Sequence, residues 1–241
     1  MSNVFNPLGQ LLGMPVTDWQ GATRPTPEVR GGRFCRLEPL NPSVHAKDLY
    51  AAFSLDSEGR NWTYLPYGPF ESFEDFTSWL IGCGQDQDVL FFAIINLESN
   101  TPVGIASYLR ISPEQGSIEV GHLNFSPLMQ RTPIATEAMW LMMKEAFALG
   151  FRRYEWKCNA LNRASRRAAQ RLGLSFEGVF RQAAVVKGHN RDTAWYAAID
   201  CDWPAINDAL THWLSPDNFD AQGRQRVSLS SLTRPLLVAV G

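Results

Sequence analysis

Cysteine is scarce in this chain and scattered. There are four, Cys35, Cys83, Cys158 and Cys201, and none forms a C-x-x-C pair or a Cys/His cluster. That removes any zinc motif, and in a chain with no visible secretory signal such thiols are expected to stay reduced. Histidine is equally thin, with His45, His122, His189 and His212 dispersed. No apolar run approaches the roughly 20 residues that span a bilayer. The stretch 236–240 is too short and follows Arg234-Pro235. No basic segment followed by an apolar run opens the chain, so no secretory leader is read. An excess of charge of one sign is missing too, with 22 Lys and Arg against 24 Asp and Glu. A net charge of −2 over 241 residues gives no electrostatic case for nucleic acid. G-x-x-x-x-G-K-[ST] is absent, as is G-x-G-x-x-G after a strand, which argues against a nucleotide-binding α/β protein of those kinds. The expectation is a cytoplasmic protein with no metal, no membrane and no nucleic-acid partner.

What is present is periodicity. The length suits one large domain, or one domain with terminal extensions. Residues 1–32 are rich in Pro, Gly and Thr and read as an irregular arm. Residues 33–40 alternate as a first strand, ended by Pro39 and Pro42. Ser43 is a candidate cap for a helix running to about 54, and 73–81 reads as a short helix with Gly82 near its end. The aromatic stretch 61–70 between them cannot be regular structure. Residues 89–95 are almost all apolar, as in a strand buried on both faces. Strands at 103–111 and 117–125 follow, and the short connections make this meander antiparallel.

Ile134, Ala138, Met142, Ala146 and Leu149 recur every three or four residues, which predicts an amphipathic helix from Pro133 with Gly150 just past its end. A strand at 154–158 then implies a right-handed crossover and a parallel pair. Asn162 caps a helix to 172, closed by Gly173. Strands at 175–186 and 192–201 join through Lys187-Gly188-His189-Asn190, and a last amphipathic helix covers about 204–214.

One junction carries chemistry. Gln130-Arg131-Thr132-Pro133-Ile134-Ala135-Thr136-Glu137 links the strand at 117–125 to the helix from 133. The first N–H groups of a helix have no internal partner, and the helix dipole favours an anion there. Thr132 reads as the N-cap and Pro133 as the first helical residue. An ordinary capped helix start without a ligand fits the same residues.

This segment resembles the acyl-CoA pyrophosphate loop of the GCN5-related N-acetyltransferases, which usually reads Gln/Arg-x-x-Gly-x-Gly/Ala. Gln130 and Ala135 fit the outer positions, and Pro133 replaces the first Gly. Proline removes one N–H donor, so the cradle must use the remaining amides, with the Thr132 hydroxyl as a further candidate. Residues 155–165, with Asn162-Arg163-Ala164-Ser165 as an Asn-x-x-Ser signature, and the hairpin 187–193 resemble the RimJ/RimL-like branch, which acetylates ribosomal-protein N-termini and related amines. The resemblance covers about 33–200. It implies an α/β fold with a mixed sheet of about six to seven strands flanked by helices. The domain would run from 33 to 201, between the arm 1–32 and a helical extension, 202–241, packed on the same domain. It implies acetyl-CoA as co-substrate and a primary amine as acceptor, and it leaves a homodimer open.

Site residues follow from the resemblance and the predicted elements together. Glu119, central in its strand and partly buried, is the candidate base, with a pKa raised by burial. The alternative is a structural carboxylate paired with an arginine. His122 is a competitor that strand alternation puts on the opposite face unless a bulge intervenes. The family's usual tyrosine acid would stand at Ala169, so Ser165 is the candidate donor to the departing thiolate. Backbone groups at Asn124 and Phe125 are expected to meet pantetheine. Gln130, Arg131, Thr132, Ile134, Ala135 and Thr136 are expected around the pyrophosphate, with Asn159 and Asn162 nearby. Arg163, Arg166, Arg167 and Arg171 read as a solvated face or as a seat for the cofactor's 3′-phosphate. Trp62, Tyr64 and Tyr67 are candidates for the acceptor wall, with Glu71, Glu74 and Asp75 close by to attract a cationic amine. The alternative is that these aromatics pack helices onto the sheet. A non-catalytic acyl-CoA-binding protein, or a succinyl or other acyl transferase, stands as the competing function.

Overall fold

A computed structural model describes residues 4–241. The strands are β1 (Val4–Phe5), β2 (Leu11–Leu12), β3 (Arg30–Gly31), β4 (Cys35–Pro39), β5 (Leu90–Asn96), β6 (Thr101–Ser112), β7 (Ser117–Phe125), β8 (Arg153–Asn159), β9 (Ser175–Val186) and β10 (His189–Ile199). The helices are α1 (Pro42–Ser54), α2 (Phe73–Gln85), α3 (Pro133–Ala148), α4 (Arg163–Arg171), α5 (Trp203–Leu214) and α6 (Leu229–Thr233). No helix among the described residues is long and apolar enough to cross a membrane.

Eight strands form one mixed sheet in the order β3-β4-β5-β6-β7-β8-β10-β9. Every neighbouring pair is antiparallel except β7 and β8, which the α3 crossover makes parallel. Strand residues alternate between two cores. Ile118, Val120, Trp156 and Tyr196 turn to a large core shared with Met139, Met142 and Ala169 of α3 and α4. Ile105 turns to a smaller core under α1 and α2, with Leu49, Phe53, Trp62, Phe76 and Leu80. Each fully buried apolar side chain of this size contributes roughly 1.5–3 kcal/mol.

The strand beyond the six or seven expected is β3, inside the segment read as an irregular arm. It pairs Arg30 with Leu37 and Gly31 with Arg36. Two residues carry no periodicity, so no pattern could announce it. What holds the turn is Glu137, 2% exposed, whose carboxylate accepts from the backbone N–H of Arg33, Phe34 and Cys35 at 2.7, 2.6 and 2.8 Å. Gly32 is required there, because a Cβ would overlap that carboxylate.

Three boundaries differ from the sequence expectation. Helix α1 begins at Pro42 and is capped by Asn41, whose Oδ1 accepts from Ser43 N, so Ser43 is inside the helix. Helix α2 runs on to Gln85 through Gly82 and Gly84, since packing overrides the local glycine penalty. The β9–β10 turn is only Lys187-Gly188, both at positive φ (49° and 76°), so β10 starts at His189. That is the two-residue hairpin geometry whose twist matches the strands.

The C-terminal residues lie on the α3/α4 side. Trp203 stacks on Phe147 with ring centroids 4.9 Å apart, and Trp140 Nε1 donates to Asn207 Oδ1. Val238 N donates to Ser175 Oγ, and Thr233 Oγ1 donates to Arg171 O.

Candidate active site

Strands β7 and β8 pair only from Ser117 with Arg153 to Val120 with Trp156. Beyond that point β7 follows β6, with Asn124 opposite Ile105, while β8 follows β10, with Asn159 opposite Thr193. A wedge opens between Gly121–Phe125 and Lys157–Asn159. A bulge accompanies the divergence. Between the Ser107–Gly121 and Ile105–Asn124 pairs, β7 advances three residues against two on β6, and His122 takes a φ of +51°. Both α3 and α4 start just past the carboxyl ends of these strands, where ligand crevices form in such sheets.

The α3 start has no side-chain cap, whereas α1, α2 and α4 each have one. Thr132 stands at the cap position but gives its hydroxyl to Met129 O at 2.7 Å, which corrects its reading as the capping group. The first-turn amides of Ile134 and Ala135 are thereby left for an external acceptor. Gln130 Nε2 donates to Phe125 O (2.7 Å) and Asn61 Oδ1 (2.9 Å), so its side chain ties the end of β7 to the turn at Arg60–Trp62. Arg131 is exposed at φ +62°. The Thr136 side chain is buried and accepts from Arg171 Nη1, and its N–H belongs to the first turn of α3, so Thr136 serves the helix and not a ligand, which corrects its reading as a pyrophosphate contact. Asn124 is 1% exposed and neither of its side-chain polar atoms has a partner; the buried Ser126 hydroxyl is likewise unpartnered. Uncapped amides at one end and unmatched buried polar groups along the wedge fit a long ligand carrying both phosphates and amides.

On the other side of the wedge, Asn162 Oδ1 caps α4 through Ser165 N. Ser165 Oγ accepts from Trp156 Nε1 at 2.9 Å, which leaves its own hydrogen to donate. Asn159 Oδ1 accepts from Leu161 N and shapes the turn. Ala169 is fully buried. Arg166 is engaged with Tyr196 Oη and Ala160 O, and Arg171 lies over the Trp213 ring, so two of the four arginines are built into the fold. Arg163 and Arg167 are exposed.

Glu119 is 3% exposed on the α1/α2 face. Its Oε2 lies 2.9 Å from Lys157 Nζ and 3.0 Å from Arg110 Nε. The lysine contact is an ion pair without hydrogen-bond alignment. Burial raises the Glu119 pKa, and the charges of Lys157 and Arg110 oppose the shift. Lys157 also meets Glu155 at 2.8 Å and sits 3.7 Å above the Trp195 ring. Strand alternation put His122 on the opposite face, but the bulge changes its phase. His122 packs on Tyr67 and Phe91, with Nδ1 2.8 Å from Tyr67 Oη. Burial, and then Arg110, lower its pKa, so the imidazole is neutral at pH 7.

The three aromatic candidates take separate places. Trp62 is 4% exposed and packs among Phe53, Tyr67, Phe70 and Trp79. Tyr67 meets His122. Tyr64 Oη reaches across to Leu161 O at 3.4 Å. Glu71, Glu74 and Asp75 are exposed at the start of α2. Sequence reasoning passed over Asn61, Lys157 and Lys187. Lys187 Nζ donates to Trp62 O (2.8 Å) and Gly68 O (2.5 Å), pinning the β9–β10 tip onto the aromatic turn. Only the hairpin signal at 187–190 hinted at it.

Comparison with known proteins bears directly on this geometry. The family model described as "Acetyltransferase (GNAT) domain" matches residues 35–175. A GCN5-related N-acetyltransferase from Brucella melitensis is 43% identical, with 90% of this chain and 99% of that one covered and a TM-score of 0.88. A probable acetyltransferase from Chromobacterium violaceum is 38% identical over 80% of this chain and 98% of that one, with a TM-score of 0.76. The Salmonella typhimurium acetyl transferase that modifies the N-terminal serine of ribosomal protein L7/L12 is 22% identical, covering 71% and 99%, with a TM-score of 0.61, and shares the fold. No curated protein sequence matches the chain. The wedge between β7 and β8, the uncapped α3 start and these similarities lead to one family: the chain belongs to the GNAT acetyltransferases and is an acetyl-CoA-dependent N-acetyltransferase.

Proposed function

We propose that the enzyme moves acetyl from acetyl-CoA directly to a primary amine, with Glu119 as proton acceptor and Ser165 as donor to the departing thiolate. The observation that carries this is the wedge. In this reading the thioester lies in the wedge, between Glu119 on β7 and Ser165 at the start of α4. The amides of Ile134 and Ala135 receive the pyrophosphate. Backbone groups at Asn124 and Phe125 receive the pantetheine amides.

The amine nitrogen attacks the thioester carbonyl carbon and the C–S bond breaks. The amine proton leaves through water to the Glu119 carboxylate, and the Ser165 O–H hydrogen-bonds the thiolate as it forms. The products are the acetylated amine and CoA. Lys157 and Arg110 orient Glu119 while its burial keeps it basic enough to take a proton. Such positioning supplies about 7–11 kcal/mol of a barrier in favourable cases. A general base adds roughly 10²–10⁴-fold.

Thiol release from acetyl-CoA, measured with a panel of peptides, amino acids, polyamines and aminoglycosides, tests the reading. Glu119→Gln and Ser165→Ala are expected to lower kcat while nearly keeping the KM for acetyl-CoA. Unchanged turnover in both variants sinks the assignment of roles.

A further inference from the structure

Strand β10 carries two buried donors that no described residue satisfies. Arg191 Nε–H and Trp195 Nε1–H are shielded from solvent, and among the described residues neither has an acceptor. Among those residues no carboxylate pairs with the Arg191 guanidinium either. Water can hydrate the outer amino groups of this half-buried side chain, but not Nε. Buried N–H groups without partners are rare, because they lose hydration and gain nothing.

The placement of Arg191 follows from register. Residues opposite one another in an antiparallel pair share a face. Trp195 is opposite Lys157, and Thr193 is opposite Asn159. Lys157 meets Glu119, so this is the face of the proposed base. The irregularity between the Arg191–Ala184 and Thr193–Phe180 pairs puts its extra residues on β9, where Gln182 takes a φ of +51°. Alternation along β10 therefore continues, and Arg191 lies on the same face as Lys157 and Glu119.

Arg191 is also at the mouth of the wedge. The carbonyl of its neighbour Asp192 accepts from Ala160 N, Tyr64 bridges to Leu161 O, and Lys187 ties the same hairpin to the aromatic turn. Burial raises the pKa of the Cys158 thiol at the end of β8, and a hydrogen bond with Ser165, then the charges of Arg166 and Arg191, oppose that rise. Arg166 is already bonded to Tyr196 and Ala160; Arg191 is not. Of the carboxylates on this face, Glu119 and Glu155 are already matched by Lys157, Arg110 and Arg153. A further uncommitted cation makes the face one for an anion.

We infer that Arg191 recognises an anionic group on the acceptor, so that the acetylated amine is a small molecule that also carries a carboxylate or a phosphate. The inference rests on acetyl transfer to an amine at this site. A guanidinium offers a planar fork that matches either oxyanion. Two strand spacings, about 10 Å, separate β10 from β7 across the sheet. Arg191 stands six residues along β10 from Ala197, which pairs with Glu155 in the row of Glu119, so its guanidinium lies further out in the wedge than the proposed base. A polycation such as a polyamine or an aminoglycoside would face this charge unfavourably.

Calorimetric titration of the CoA-saturated protein tests this apart from turnover. The probes are matched neutral and anionic products: N-acetylphenylalanine beside its carboxamide, and N-acetylphosphoethanolamine beside N-acetylethanolamine. One anionic member is expected to bind the wild type at least about tenfold tighter than its neutral mate. Arg191→Gln is expected to abolish that preference and Arg191→Lys to restore part of it, with CoA affinity unchanged as the check on folding. No preference in the wild type for either pair overturns the inference. So does a preference that survives Arg191→Gln, or a loss of CoA affinity, which would make the anion the cofactor's own. Failure of the acetyl-transfer reading appears separately, as no thiol release with any amine.

Discussion

Replacing Glu137 by glutamine removes one negative charge from a site where three backbone N–H groups converge. Oε1 accepts from Arg33 N at 2.7 Å; Oε2 accepts from Phe34 N at 2.6 Å and Cys35 N at 2.8 Å. A glutamine amide has a single acceptor oxygen. Turned to its best orientation, that oxygen keeps Phe34 and Cys35, and the NH₂ group then points at Arg33 N–H. Donor meets donor in a site closed by Gly32, where a Cβ would already overlap the carboxylate. A hydrogen bond to a charged group is worth about 1.5–3 kcal/mol, so losing one and weakening two others costs about 3–5 kcal/mol. In a chain of this size each kcal/mol shifts Tm by roughly 2–4 °C, so a fall of about 10 °C is expected. Thermal unfolding followed by circular dichroism reads it. Gly32→Ala breaks the same contact, so the double variant should lose clearly less than the sum of the single losses. A Glu137→Gln protein melting within about 2 °C of wild type, or strict additivity with Gly32→Ala, refutes the clamp.

As the proposed base, Glu119 would have to be deprotonated to act, and its pKa is raised by burial. Activity should therefore fall, as pH decreases, at a pH above the ordinary glutamate range, and this acid limb should vanish from the residual rate of Glu119→Gln. Lys157→Met leaves Glu119 and Glu155 without their shared ammonium. The acid limb should move to higher pH, and chemical denaturation should register a loss of about 3 kcal/mol, the low end for breaking a buried pair because Arg110 remains. Deleting 202–241 uncovers the α3 residues that Trp203 and Asn207 contact and is expected to lower Tm sharply; an unchanged melt would show that α5 is dispensable.

The run from β7 through α4 was legible because each element carries its own local signal. Alternation marks 117–125, three-and-four spacing marks α3, and Asn162 caps α4 as read. Features that depend on register were not legible. Lys157 meets Glu119 because parallel pairing sets Glu155 beside Glu119, with Lys157 two residues further on the same face. The separate duties of Trp62, Tyr64 and Tyr67 depend on where the β9–β10 hairpin lands, through Lys187. The carboxylate of Glu137 reads in sequence as one more residue of a loop motif, and only the fold brings it to the turn after β3.

The β7 bulge joins two of these points into one physical event. A strand that stayed regular past Val120 would keep its phase and leave His122 pointing into the α3 core, as simple alternation requires. One extra residue on β7 changes that phase. It coincides with the divergence from β8 that opens the wedge, and it swings His122 out to Tyr67 on the face of Glu119. The cost is a histidine at φ +51°, a conformation that non-glycine residues seldom adopt. A residue added for shape alone could have been a glycine, which takes that backbone freely. A histidine held there, neutral and bonded to the half-buried Tyr67, gives the proposed acceptor side a second titratable group. Replacing it with glycine should keep the bulge and acetyl-CoA binding while changing the KM for the acceptor. Loss of acetyl-CoA affinity in His122→Gly would mean instead that the side chain, and not the extra residue, holds the wedge open.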